Sequence, residues 1–195
     1  MLQNFESLVL IWLGIGFITF ITLLKIPAPY GKFSKTNWGP MIPSKLGWIV
    51  MEIISPLALL YFFLNGNIEK TPTNITFISL WTLHYFNRSV IYPLRQNNPA
   101  KMPLLIAVLA FLFNVMNGYI NGTYFGSIQE YSAEYMSNWN FIVGVCLFIT
   151  GAYINIKSDN ILLSLRSKSG EYKIPEGFMF RYVSFPNYLG EILEW

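Results

Sequence analysis

Glu52 stands seven residues into an apolar run, within Ile49-Val50-Met51-Glu52-Ile53-Ile54. An ionised carboxylate in such surroundings costs several kcal/mol unless it is paired, which favours the neutral acid. A neutral carboxylic acid donates a hydrogen bond and suits polarising a ketone oxygen. The other reading of Glu52 is a structural partner for a cation on another helix. Acids inside a membrane are functional by default, which weights the first. A second apolar run closes with His84, Tyr85, Phe86, Asn87 and Arg88. Helical spacing of three and four puts Arg88 on one face with Tyr85 and His84. A phenol beside a guanidinium can donate a proton to a carbonyl or enolate. The same cluster serves equally as an interfacial cap, because Arg snorkels and Tyr favours the headgroup level.

Further along, Gly151-Ala152-Tyr153-Ile154 leads to Asn155, Asp159 and Arg166. Offsets of four and eleven return to nearly the same angle at 100° per residue. One helix face then carries an amide, a carboxylate and a guanidinium, a rail for a ligand with phosphates at one end and hydroxyls at the other. A solvated helix end held by Asp159 and Arg166 explains the same residues. Asn187, Glu191 and Glu194, at offsets of four and seven, make a second polar face, with Pro186 suited to the first turn. Two carboxylates that close need partners, and Arg88 is one candidate. His84 and Cys146, one of each and far apart, make no metal site. The chain has no Gly-rich phosphate loop and no GxSxG elbow, so a bound nucleotide is not held by a Rossmann turn.

The elements that position these groups are apolar helices. The 195 residues leave room for one compact domain. Apolar residues make up 53% and charged residues 12%, against about 25% charged in soluble chains. Lipid is the better solvent. The net charge of +3 is small and its cations lie in short connections, which excludes a nucleic-acid footprint. Five stretches, 8–24, 46–64, 75–91, 102–120 and 139–156, span or nearly span a bilayer that needs about 20 residues. The first has no basic leader region and no small-residue cleavage site, so it reads as an uncleaved span. A sixth run, 183–195, is too short to cross.

The connections carry helix breakers: Pro27, Pro29, Gly31, Gly39, Pro40 and Pro43 in the first, Asn65-Gly66-Asn67 in the second, Pro93, Pro99 and Pro103 in the third. Lys25, Lys32, Lys35 and Lys45, then Arg88, Arg95 and Lys101, then Lys157, Arg166, Lys168, Lys173 and Arg181 fall in alternate connections. That alternation predicts loops one, three and five in the cytosol and the N-terminus outside or luminal. Trp12, Trp38, Trp48, Trp81 and Trp139 suit interfacial anchoring. The expectation is an all-α, polytopic membrane helical bundle, one domain over 1–195, with five full spans and a truncated sixth.

The order of motifs resembles one family. His84-Tyr85-Phe86-Asn87-Arg88 followed by Ile91-Tyr92-Pro93 resembles the HYxxR…YP segment of the steroid 5α-reductases, the 3-oxo-5α-steroid 4-dehydrogenases. Asn117-Gly118 resembles that family's NG pair. Ile154-Asn155-Ile156-Lys157-Ser158-Asp159, with Ile161-Leu162 and Leu165-Arg166, resembles INIHSDxILxxLR. Tyr172-Lys173-Ile174-Pro175, Tyr182-Val183-Ser184 and the run from Asn187 to Trp195 resemble YKIPxGGxFxYVSxxNxxGExxEW. These motifs cover most of the chain from Glu52 onward.

The resemblance implies NADPH-dependent reduction of a carbon–carbon double bond conjugated to a 3-ketone, with a steroid or other enone lipid as substrate. By motif, Glu52 and Tyr85 would hydrogen-bond the ketone oxygen and stabilise the enolate. Asn155, Asp159, Arg166, Tyr172, Asn187 and Glu191 would line the NADPH site, the cofactor supplying the reducing chemistry. A related reductase acting on polyprenols or enoyl thioesters is a neighbouring possibility. Three departures stand out. Lys157 replaces the family's usual His, Phe178 stands where a second Gly should follow Gly177, and the chain ends at Trp195. Family members continue through the rest of helix six, a seventh helix and a basic, aromatic tail over NADPH. The corresponding expectation is a fragment, or a weak or inert paralogue that binds lipid or acts structurally. The sequence carries no sign of an oligomeric state.

Overall fold

The structure is a computed structural model that describes residues 2–29, 36–96, 100–165 and 173–195. Its contacts divide it into two compact units. One comprises Met1–Lys70, Asn74–Pro93 and Pro99–Glu130, the other Thr71–Thr73, Leu94–Asn98 and Tyr131–Trp195.

In the first unit, helix α1 (Leu2–Leu23) precedes a short strand β1 (Met41–Pro43), which leads directly into α2 (Ser44–Leu64). Strand β2 (Lys101–Pro103) leads in the same way into a long helix, Leu104–Thr123. The strands pair antiparallel, Met41 with Pro103, Ile42 with Met102 and Pro43 with Lys101. Pro43 and Pro103 each hold an extended backbone just before a helix, so the pairing starts the two helices side by side. Ser44 N donates to Ala100 O at 2.9 Å and Leu104 N to Pro40 O at 2.8 Å, closing the same junction.

Between these lie α3 (Pro72–Phe86), a π turn over Asn87–Ile91 and a short α4 (Tyr92–Arg95). The helix Leu104–Thr123 is then α5, and it continues in a π turn over Tyr124–Ile128. Gly118, Gly122 and Gly126, four residues apart, lie against α2. A Cβ on Gly118 would stand 2.7 Å from the Ser55 carbonyl oxygen, and one on Gly122 2.6 Å from the Leu59 carbonyl oxygen. Close backbone approach over small residues is how helices associate where lipid cancels the hydrophobic drive. Asn74 Nδ2 reaches Phe125 O at 3.0 Å and Gln129 O at 3.1 Å, taking up carbonyls at the end of the π turn.

The second unit is built on α6 (Trp139–Leu165) and α7 (Pro186–Glu194). The Asn140 N–H donates to Asn138 Oδ1 at 3.0 Å, a side-chain cap at the start of α6. Pro186 opens α7 at its first turn, where its missing N–H costs nothing. Gly151 and Gly190 bring the two helices together.

Among the described residues four helices are long and apolar enough to cross a membrane: Leu2–Leu23, Ser44–Leu64, Leu104–Ile128 and Trp139–Leu165. The run predicted over 75–91 is helical but is not one of them. Thr76, Ser79, Thr82, His84, Asn87 and Arg88 dilute its hydropathy. Large apolar side chains stand exposed along α1 and α6, among them Leu13, Phe17, Ile18, Ile142 and Ile149. Cys146 is exposed on the same kind of surface. Such surfaces suit lipid contact and fit an integral membrane protein.

Candidate active site

The first unit gathers a chain of amides around Tyr85, with Asn114 buried and Asn117 and Asn121 half-buried. Asn114 Nδ2 donates to Met51 O at 2.7 Å, and Tyr85 Oη donates to Asn114 Oδ1 at 3.2 Å. Asn117 Nδ2 donates to Tyr85 Oη at 3.2 Å, and Asn121 Nδ2 donates to Asn117 Oδ1 at 3.2 Å. Tyr85 is stacked on Trp81 at 5.5 Å between centroids, with His84 edge-on at 5.1 Å. Pro56, inside α2, brings no N–H to the Glu52 carbonyl, one residue beyond the Met51 carbonyl that Asn114 reaches.

Glu52 follows Met51 and does find a cation. Arg88 Nη2 lies 4.0 Å from Glu52 Oε1, with the two side chains only 8% and 13% exposed. The guanidinium sits 4.9 Å over the Trp48 ring and 5.4 Å over Tyr92. The π turn over Asn87–Ile91 buries Arg88 and Ser89. A π turn of this kind is rare and often accompanies a functional side chain. The pair also fits the structural reading of Glu52, in which the acid is the partner of a cation on another segment.

The second unit interlocks the polar faces of α6 and α7. Asn155 Nδ2 donates to Asn187 O and to Glu191 Oε1, each at 3.1 Å. Asn187 Nδ2 donates to Asp159 Oδ1 at 3.3 Å. Asn155, Ser158 and Asp159 are at most 3% exposed. Ser158 Oγ and Asn187 Oδ1 are buried without a hydrogen-bond partner. Lys157 points elsewhere: its Nζ donates to Tyr153 Oη at 2.9 Å and lies 4.4 Å over the Phe178 ring. The two residues that depart from the motif pattern are therefore neighbours.

Of the residues singled out in the sequence, Glu52 and Tyr85 belong to the first unit, and Asn155, Asp159, Asn187 and Glu191 meet one another in the second. Arg166 and Tyr172 lie outside the described residues. Asn114 and Asn121 escaped the sequence reading, and Asn117 entered it only through the NG pair. Their signal was three amides at spacings of three and four in a 20-residue apolar helix. Among the described residues no group of three or more His, Cys, Asp or Glu could hold a metal. A cavity of about 430 Å³ in the first unit, lined by Phe5, Phe62, Asn65, Tyr119 and Thr123 among others, contains none of these site residues.

Long apolar helices that carry acids, amides and a phenol on their inner faces fit an integral membrane protein with polar groups held inside it. Residues 100–195 match the family described as 3-oxo-5-alpha-steroid 4-dehydrogenase. Steroid 5-alpha-reductase DET2 of Gossypium hirsutum is 40% identical over 185 residues, covering 91% of this chain and 71% of that protein. The protein of the same name in Arabidopsis thaliana is 40% identical over 188 residues, with the same coverage of each chain. The 3-oxo-5-alpha-steroid 4-dehydrogenase 1 of Homo sapiens is 32% identical over 186 residues, 93% of this chain and 71% of that one. The chain belongs to the steroid 5α-reductase family, whose members are oxidoreductases acting on CH–CH groups.

Proposed function

We propose that this chain acts as one transmembrane reductase domain that reduces the Δ4 double bond of a 3-oxosteroid, or a closely similar enone lipid, with NADPH. The observation that carries the reading is the Tyr85 hydroxyl, buried in an amide network that begins at Met51, the residue before Glu52. Tyr85, and Glu52 when it holds its proton, donate hydrogen bonds to the ketone oxygen and stabilise the negative charge that develops there. Arg88 holds Glu52 and balances its charge when the proton is absent.

Asn155, Asp159, Asn187 and Glu191, with Arg166 and Tyr172, hold the dinucleotide. The residues present suit it: Ser158 Oγ and Asn187 Oδ1 are buried polar atoms that a ligand's hydroxyls or amide could satisfy. The cofactor, when bound, supplies the hydride. The segment 75–91 acts as a further crossing, so that loops one, three and five face the cytosol and the N-terminus faces outside or the lumen.

The test is NADPH consumption by the chain in lipid nanodiscs with a Δ4-3-oxosteroid, with the product examined for two added hydrogens by mass spectrometry. Turnover should be lost in Glu52→Gln and Tyr85→Phe. Full turnover in both variants would show that these groups do not serve the ketone. Cysteine labelling from either side of the membrane checks the orientation.

A further inference from the structure

We infer that Asn114 and Asn117 are positioning residues for Tyr85: Asn114 fixes the direction of its hydroxyl proton, and Asn117 supports negative charge on its oxygen while the proton is shared with the substrate. The inference rests on the reading above that Tyr85 serves the ketone.

The polarity of the chain is set at one end by a group that can only accept. Met51 O lies 2.7 Å from the Asn114 amide, which must present its NH₂ there. The other end of that amide, Oδ1, is then an acceptor, and it faces Tyr85 Oη at 3.2 Å. The phenolic proton therefore lies on the line to Asn114. Asn117 has its orientation set likewise. Its Oδ1 accepts from Asn121 Nδ2 at 3.2 Å, which leaves its NH₂ for Tyr85 Oη at 3.2 Å. Reversing either amide would set donor against donor or acceptor against acceptor. Asn114, Asn117 and Asn121 share one face of α5, so a single helix carries the whole device.

Two consequences follow for the chemistry. At 3.2 Å the bond from Tyr85 to Asn114 is longer than the roughly 2.5–3.0 Å usual for O–H···O. A ketone oxygen at ordinary distance can take the proton's hydrogen bond from Asn114. Once it does, negative charge grows on the phenol oxygen as its proton shifts toward the substrate. The Asn117 N–H already points at that oxygen, and in a site where Tyr85 is 7% exposed such a donor is worth more than in water.

The experiment uses the 195-residue chain in nanodiscs with ¹³C-ring-labelled tyrosine. The Tyr85 C–O stretch is isolated by subtracting the spectrum of Tyr85→Phe. In Asn117→Leu the band should move to the frequency of a phenol that donates without accepting, while in Asn114→Leu it should move the opposite way. With NADPH and progesterone, Asn117→Leu should lower kcat about tenfold and leave KM within about twofold, the pattern of a group that acts in the transition state. If Asn117→Leu does not fold, Asn117→Ala removes the donor with less bulk and carries the same expectation. An unmoved band, or an unchanged kcat with a moved band, overturns the inference. A wild-type chain with no turnover of any Δ4-3-oxosteroid sinks the reductase reading and the substrate half of this one, whereas the infrared band still decides whether the amides set the hydroxyl.

Discussion

Gly151 and Gly190 face each other so closely that a Cβ on Gly151 would stand 2.5 Å from the Gly190 carbonyl oxygen. A Cβ on Gly190 would stand 2.6 Å from both the Asn155 nitrogen and the Gly151 oxygen. The nearest neighbours of Gly190 are all backbone, so no side chain can rotate to make room there. Gly190→Ala should push α7 off α6, lengthen both hydrogen bonds from Asn155 and cost about 1–3 kcal/mol. Gly144, on α6 with Gly151, has nothing within 4 Å of its Cβ position. Gly144→Ala should be neutral, or more stable by up to about 1 kcal/mol through helix propensity. Thermal unfolding in detergent compares the two, and NADPH should bind Gly144→Ala but not Gly190→Ala. Equal Tm values would mean that α6 and α7 do not pack on these two glycines.

Arg88 and Glu52 should depend on each other energetically. Truncating one partner of a buried pair leaves the other charge uncompensated, at a cost of about 3 kcal/mol. Arg88→Met should therefore destabilise the wild-type chain strongly and do so far less in a Glu52→Gln background. A double-mutant cycle on thermal stability should give a coupling of about 1–3 kcal/mol. Additive effects would show that 4.0 Å is proximity without interaction.

How much of this was legible in the sequence depended on whether a feature is local. Apolar runs, prolines and cation-bearing connections mark α1, α2, α5 and α6, because helix length and solvent are written residue by residue. The polar faces of α6 and α7 also followed from spacing alone. What spacing does not reveal is that they meet each other, since that rests on Gly151 opposing Gly190 across 38 intervening residues. The π turn at Asn87–Ile91 was invisible for a related reason: it buries Arg88 and Ser89, a tertiary outcome that a regular 3.6-residue period conceals. Strands β1 and β2 are three residues each, below any periodic signal, and exist because Pro43 and Pro103 hold extended backbone side by side. Asn114 and Asn121 were legible and overlooked; the reasoning that flagged Glu52 in an apolar run applies to them unchanged.

Phe178 has φ of 44°, in the region that favours glycine, and stands where the resemblance expected one. Its ring lies under Lys157 Nζ at 4.4 Å and edge-on to Tyr153 at 5.9 Å between centroids. The ring contacts oppose the backbone cost, and two variants separate them. Phe178→Ala keeps a Cβ in the left-handed region and removes the ring, whereas Phe178→Gly removes both. The glycine variant should be more stable than the alanine variant by about 1–2 kcal/mol, measured by thermal unfolding. The reverse order would show that the backbone at this position is not held left-handed.

Asn155 donates two hydrogen bonds from a single nitrogen, to a carbonyl and to a carboxylate, and neither acceptor can reverse its role. Replacing it with Ala removes the donor shared by both acceptors in a site where Asn155 is 1% exposed, a cost of about 1–3 kcal/mol. Asn155→Asp is nearly the same size yet should cost more, because it turns an oxygen toward the Asn187 carbonyl and sets a second carboxylate against Glu191. Adding Glu191→Gln to that variant supplies an amide donor facing the new acid, and should recover most of the stability lost beyond the Ala variant. NADPH binding should follow the same order, with wild type strongest, the double variant intermediate and Asn155→Asp weakest. A double variant no better than Asn155→Asp would mean that Glu191 does not accept from Asn155, and the contact between α6 and α7 would have to be redrawn.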